Sequence, residues 1–201
     1  MKLSILIPAY NPGKYLRKIL DTLALSIDRY PETEIIVIDD GSTEDLSWAA
    51  NYSNVRYIRK DNEGEPRARN DLLRAATGEY IQFIDSDDEI YSNCLDVIYD
   101  NISKGFDFVT YEHDTDHDRK RSYHNHGMLM YNCALWGYTF RRAFVDGVMF
   151  DESYLPDTDV HWLPLVLRED AKHWNDDRVW YNYRWDDNYN SLSHQKLRGE
   201  I

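Results

Sequence analysis

Three aspartates crowd one short stretch. Asp85, Asp87 and Asp88 follow the strand-like run "IQFI" and precede Glu89. Like charges this close repel unless a cation sits among them. The chemistry on offer is therefore binding of a divalent metal, or of a ligand that needs one. Carboxylates at i and i+2 of a strand end, here Asp85 and Asp87, can face one side. With a diphosphate they can complete an octahedral shell around Mg2+ or Mn2+. Such an ion neutralises charge on a departing diphosphate. A calcium loop is the competing use of this spacing, and it fails at the glycine that sets its turn. Position six is Ile90 for a loop starting at Asp85, and Arg119 for one starting at Asp114.

The elements that must position these acids can be read from hydrophobic runs and their punctuation. "LSILIP" is a buried strand closed by Pro8. "GKYLRKILDTLAL" follows with Leu16, Ile19, Leu20 and Leu23 at helical spacing. "EIIVIDDGS" and "VRYI" are further strands. "PRARNDLLRAATG" is a helix between Pro66 and Gly78. "EYIQFIDSDD" and "FDFVTYE" are strands either side of the helix "NCLDVIYDNISKG". This alternation predicts an α/β fold: one compact domain with a mostly parallel central sheet flanked by helices. Ligands of such sheets bind at the carboxyl ends of the strands. Three strands end in loaded sequence: Ala9-Tyr10-Asn11, Asp39-Asp40-Gly41-Ser42 and Asp85-Ser86-Asp87-Asp88. Each alone is equally well a turn or a helix cap. Their convergence on one edge argues for a site.

After Glu112 the pattern changes. "HDTDHDRKRSYHNHG" is polar and turn-rich, and reads as a loop over an acceptor site rather than a zinc site, although His113, His117, His124 and His126 crowd it. "ALWGYTFRRAFV" is helical in its second half, "VHWLPLVL" is a helix and "RVWYNYRW" a strand. Thirty-six Asp and Glu against 23 Lys and Arg leave a net charge of -13. A surface that acidic repels phosphate backbones, so nucleic acid is not expected as a partner. No run approaches the ~20 apolar residues of a membrane span, and the N-terminal apolar run is too short for a signal peptide. Cys94 and Cys133 form no metal knuckle or disulfide framework, and read as buried thiols of a reducing, cytoplasmic compartment.

Taken in order, "ILIPAYN", "IIVIDDGSTED", "NEGEPRARN", "FIDSDD", "FDESYLPDTDVHW" and "WYNYRWDDNYNSLSH" resemble the family 2 glycosyltransferases. Any one of these is weak, and six in the right order are specific. The resemblance implies a GT-A fold, with 1–112 as the nucleotide-binding half and 113–201 as the acceptor-binding half. It implies an inverting transferase that moves a sugar from a nucleotide sugar, a UDP-sugar foremost, to a hydroxyl acceptor such as a glycan or surface polysaccharide precursor. Pro8, Ala9, Tyr10 and Asn11 would frame the base and ribose, and Asp39 would hydrogen-bond uracil or ribose with Asp40 beside it. Asn62 belongs to the same donor side. Arg69 would face the base or the diphosphate. Asp85, Ser86 and Asp87 would lie at donor ribose and metal (Mn2+ or Mg2+), with Asp88 near donor sugar or acceptor. Asp159 would be the general base that takes the acceptor hydroxyl proton. Thr158 stands where the family has Glu, and Asp157 lies one step earlier. Trp136, Tyr138 and Trp162 are candidates either for stacking on sugar rings or for the core.

Two other classes compete. A transferase fold that has lost turnover would serve as a nucleotide-sugar or carbohydrate binding module. A sugar nucleotidyltransferase would need a glycine-rich triphosphate loop after the first strand, and "PAYNPGKY" has a single glycine.

Overall fold

The computed structural model describes residues 1–115, 134–153, 158–168 and 170–184. Eight strands form one sheet: β1 (Leu3–Ala9), β2 (Thr33–Asp40), β3 (Val55–Lys60), β4 (Tyr80–Phe83), β5 (Glu89–Ile90), β6 (Phe108–Thr115), β7 (Tyr138–Arg141) and β8 (His173–Tyr183). Their order across the sheet is β3-β2-β1-β4-β7-β6-β8-β5. β1 to β4 pair in parallel, as do β6 and β8. β7 runs against both β4 and β6, and β5 against β8. The helices are α1 (Tyr15–Ala24), α2 (Glu65–Ala75), α3 (Cys94–Ile102), α4 (Arg142–Val145) and α5 (Thr158–Val166).

Alternation along the strands divides the core into two layers. Leu3, Ile5, Ile7, Ile35 and Val37 face α1 and α3 on one side. Leu6, Ile36, Ile38, Ile81 and Phe83 face α2 and α5 on the other. β1 and β2 are apolar on both faces because both faces are covered, as in parallel sheets generally.

The expected strands and helices are present, with revisions, and the two-residue β5 is an addition to them. "ALWGYTFRRAFV" contains β7 before its short helix, and β7 is the strand that reverses direction between the two parallel groups. β4 ends at Phe83, so the acids that follow lie on a turn beyond it. The strand read at "RVWYNYRW" is β8, which starts earlier, at His173, and whose register with β6 shifts part-way along. His113 lies on β6, buried against the edge of the Trp136 ring. His117, His124, His126, Cys133 and the basic run 119–121 lie outside the described residues. Cys94 is a buried free thiol, as expected. No described helix is long and apolar enough to cross a membrane.

Gly41 holds the edge of the sheet in shape. Its φ is +76°, and a Cβ there would lie 2.6 Å from the Asn62 backbone nitrogen. The segment leading into α2 therefore closes directly over the end of β2. Gly41→Ala is expected to lower unfolding free energy by more than about 1 kcal/mol, because both the backbone conformation and the contact become strained. Urea unfolding of the variant measures this, and an unchanged midpoint would show that the contact relaxes freely.

Candidate active site

Adjacent residues on a strand point to opposite faces, and Asp39 and Asp40 are put to different uses by that fact. Asp39 faces the α1 side and is fully buried. Its Oδ1 accepts the Ser42 N–H at 2.8 Å, and its Oδ2 accepts from the Tyr57 hydroxyl and Arg59 Nη1, each at 2.6 Å. Burial pushes this carboxyl up, but the bonds from Tyr57 and Ser42 and the Arg59 charge outweigh it and hold it below the usual range. Burial and the Asp39 hydrogen bond push the Tyr57 phenol up to about 12, so it remains a donor. Asp40, on the α2 side, accepts the Glu63 and Gly64 N–H groups at 3.0 and 2.8 Å. It thereby fixes the residue before α2.

The loop after β1 is tied to the loop after β2. Asn11 adopts a φ of 49° and donates its N–H to Ser42 Oγ at 2.9 Å. Its side-chain oxygen accepts from the Thr43 N–H at 2.8 Å and the Thr43 hydroxyl at 3.0 Å. Asn and Asp tolerate this left-handed backbone better than bulkier residues. Pro8 and Ala9 lie at the end of β1, and Tyr10 next to them is 54% exposed. Asn62 is exposed on the segment that covers Gly41.

The centre of the site is Arg69 on α2, which is 2% exposed. Its Nη2 reaches Glu65 Oε1 at 2.7 Å, one helical turn earlier, and Asp85 Oδ1 at 3.4 Å. Its Nη1 donates to the Thr158 hydroxyl and to Asp159 Oδ1 in two very short bonds. Asp159 Oδ2 accepts the Leu135 N–H at 3.0 Å. Both carboxylate oxygens are thus oriented, and the Asp159 side chain remains 19% exposed. It stands in the first turn of α5, where a helix N-terminus also favours negative charge.

One guanidinium serves too many acids. Burial pushes the Asp85 carboxyl up to about 8; Arg69 opposes this, while Asp159, Asp87 and Glu65 add to it. Burial likewise pushes Glu65 up to about 7, with Asp159 and Asp87 contributing against the pull of Arg69. Arg69 itself is pushed further up by Asp159, Glu65 and Asp85, which overcome its desolvation. A hard divalent cation suits such a surplus of carboxylate oxygens. Among the described residues no group of three or more His, Cys, Asp or Glu side chains is placed to hold a metal by itself. Asp85 and Asp87 by themselves would supply only two carboxylates, so a metal there would need its remaining ligands from elsewhere, as a diphosphate provides.

The other expected site residues are distributed unevenly. Ser86 is buried within the acid turn. Asp88 is buried too, and its oxygens are held by the Tyr181 hydroxyl at 2.6 Å and the Arg184 N–H at 2.8 Å. It anchors the turn to the end of β8 rather than facing a sugar or acceptor. Burial, with Asp87 and Asp85 nearby, pushes its carboxyl well up. Trp162 is core: its ring stacks on Phe150 with centroids 4.8 Å apart, and its indole N–H donates to the Val148 carbonyl at 3.0 Å. Trp136 is buried between His113 and the stacked rings of Tyr181 and Tyr183. Tyr138 is buried against Phe140. Apolar fill explains all three rings. Asp157 lies outside the described residues. Arg69, expected to face a base or diphosphate, is held among Glu65, Asp85 and Asp159.

Glu65 was not singled out from the sequence. Its signal was there, an acid four residues before an arginine on a helix, but such pairs are usually solvated. A family model for glycosyl transferase family 2 matches residues 4–152. The chain belongs to that family. Similar proteins include the uncharacterized glycosyltransferase YibD of Escherichia coli (strain K12), 37% identical over 102 residues, covering 48% of this chain and 29% of the relative. A poly(ribitol-phosphate) beta-glucosyltransferase of Bacillus spizizenii is 41% identical over 102 residues, covering 47% of this chain and 16% of the relative. The chain thus spans less than a third of these family members. Among solved structures, S. aureus TarS 1-349 in complex with UDP superposes with a TM-score of 0.80 at 23% identity, over 92% of this chain and 61% of that one. The fold is GT-A, as the family 2 resemblance implied. A mannosyltransferase of Pyrobaculum calidifontis, solved with GDP-Man and Mn2+, has a TM-score of 0.68 at 15% identity, over 90% of this chain and 56% of that one.

Asp85 and Glu65 both bind protons more tightly in the folded chain than in the unfolded one. Stability of the metal-free protein is therefore expected to fall as pH rises through roughly 5 to 8, since the folded state holds more protons in that window. Glu65→Gln removes one competing charge and should flatten the fall. Calorimetric melting across this range tests it, and a wild-type profile that rises or stays level would contradict the charge surplus.

Proposed function

We propose that this chain is the transfer domain of an inverting glycosyltransferase that uses a UDP-sugar and a hydroxyl acceptor. One observation carries the reading. Asp85, on the turn beyond β4, and Asp159, in the first turn of α5, meet at a single buried arginine, on the edge where β1 and β2 also end. On this reading donor and acceptor machinery share one cluster.

On this reading Asp159 takes the proton of the acceptor hydroxyl. The freed oxygen forms its bond to the anomeric carbon as the bond from that carbon to the diphosphate breaks. The attack comes from the face opposite the nucleotide, so the configuration inverts and no enzyme nucleophile is required. Arg69 and the Leu135 N–H aim the Asp159 carboxylate, and exposure on one side leaves it reachable. Asp85 and Asp87 would hold Mn2+ or Mg2+, whose charge would offset that of the leaving diphosphate. Tyr10 and Asn11 frame the base and ribose, with the Ser42 and Thr43 loop fixing their position. A glycan or surface polysaccharide precursor as acceptor is consistent with the one relative named as a poly(ribitol-phosphate) beta-glucosyltransferase.

The first measurement is a melting panel with UDP, GDP and CDP, each with and without Mn2+. A ligand at ~100 times its dissociation constant adds ~2.7 kcal/mol of stability. UDP with Mn2+ is expected to raise Tm, and Asp87→Asn to abolish that rise. Asp159→Asn should keep the UDP shift while slowing transfer by about 10²–10⁴-fold. Loss of both together would place Asp159 in donor binding. A wild-type protein that binds UDP-sugar but neither transfers nor hydrolyses it would be a binding module.

A further inference from the structure

The carboxyl end of β3 brings an arginine to the same edge. In the parallel ladders Asp39 pairs with Ala9 on one side and Arg59 on the other. The three side chains therefore share one face of the sheet. Asp39 was expected to contact the base, yet it has no exposed surface, and its oxygens are engaged by Ser42, Tyr57 and Arg59. Arg59 is what remains open, with half of its side chain (50%) exposed. Its guanidinium is fixed at two points, by Asp39 and by the Ser42 carbonyl, which accepts from Nη2 at 2.7 Å. A guanidinium has five N–H groups and no acceptor. Asp39 and the Ser42 carbonyl each take one of them, Tyr57 lies against the same group, and the exposed half of the side chain presents the fork to a ligand. A ligand settling on this edge, beside exposed Tyr10, meets a rigid donor rather than a carboxylate.

We propose that Arg59 reads the nucleobase of the donor, taking bases that present a ring carbonyl oxygen, such as uracil, and rejecting those that present an amino group at that place, such as cytosine. This rests on the donor-site reading above. Uracil and cytosine have the same size and ring shape and differ on this edge by C=O against NH2. A fixed N–H donor pairs with the first and faces the hydrogens of the second. Asp39 and Tyr57 are then positioning residues. Asp39 binds Arg59 directly, and Tyr57 holds Asp39. Burial of the carboxylate makes the pairing costly to break, since a buried charge left without its partner is strongly unfavourable.

Isothermal titration of UDP and CDP in the presence of Mn2+ tests this on the wild type, Arg59→Met and Arg59→Lys. The wild type should favour UDP. Arg59→Met should weaken UDP by about tenfold to a hundredfold, as for a lost hydrogen bond from a charged group, while CDP changes little and the preference collapses. Arg59→Lys keeps a cation and a donor without the fixed fork, and should retain part of the preference. It carries the test if the methionine variant does not fold. A wild type that binds UDP and CDP equally, or variants that keep the wild-type ratio, would overturn the assignment of Arg59. A wild type that binds neither nucleotide would overturn the donor site itself, and the assignment with it.

Discussion

The site depends on one buried guanidinium. Arg69 receives Glu65 from its own helix, Asp85 from the turn beyond β4, and Thr158 and Asp159 from α5. Burying an arginine is unfavourable unless its charge is met, and acids gathered without it would repel. Each side of the cluster therefore requires the other. The next residue, Asn70, extends the same constraint: its amide donates to the Phe150 carbonyl and its oxygen accepts the Phe150 N–H. Two consecutive residues of α2 thus tie the later part of the chain to the parallel part.

What places α2 lies one strand away. Asp40 binds the amides of Glu63 and Gly64, and Gly41 permits that segment to close against the sheet. The order of dependence runs from the end of β2, through the entry to α2, to Arg69 and finally to Asp159. The acid turn is secured from its other end by Asp88, bonded to β8 through Tyr181 and Arg184. Of the three crowded aspartates, Asp85 belongs to the arginine and Asp88 to the scaffold. A run of like charges is divided among separate partners, which is how the fold tolerates it.

The parallel half was legible because its signals are local. Apolar runs of strand length, helical spacing and punctuation by Pro66 and the glycines all arise within a few residues. The acids at the strand ends were legible for the same reason. β7 was not, because "YTFR" is short and its pairing with β4 and β6 is decided by residues far away in the chain. The roles of Asp88, Trp136 and Trp162 depend on which neighbours tertiary packing supplies. An aromatic ring in a sequence has the same appearance whether it meets a sugar or Phe150. Asp39 and Asp40 were read as a pair, although the strand's alternation already sends them to opposite faces. Glu65 and Arg59 were passed over because each resembles an ordinary surface charge until the fold assigns it a partner.

The charge balance of the cluster also constrains the order of binding. With Arg69 shared among Glu65, Asp85 and Asp159, and Asp87 beside them, the site is anionic, and the chain as a whole carries -13. A bare nucleotide diphosphate is anionic as well, so neither long-range attraction nor the acid turn favours it alone. A divalent cation reverses both terms, because it lowers the charge of the nucleotide and relieves the repulsion that pushes Asp85 and Glu65 up. On the proposed reading, metal and donor must therefore bind with strong mutual support. Electrostatic tension left in the unliganded acids is then what favours the metal, and the metal in turn what admits the anionic nucleotide.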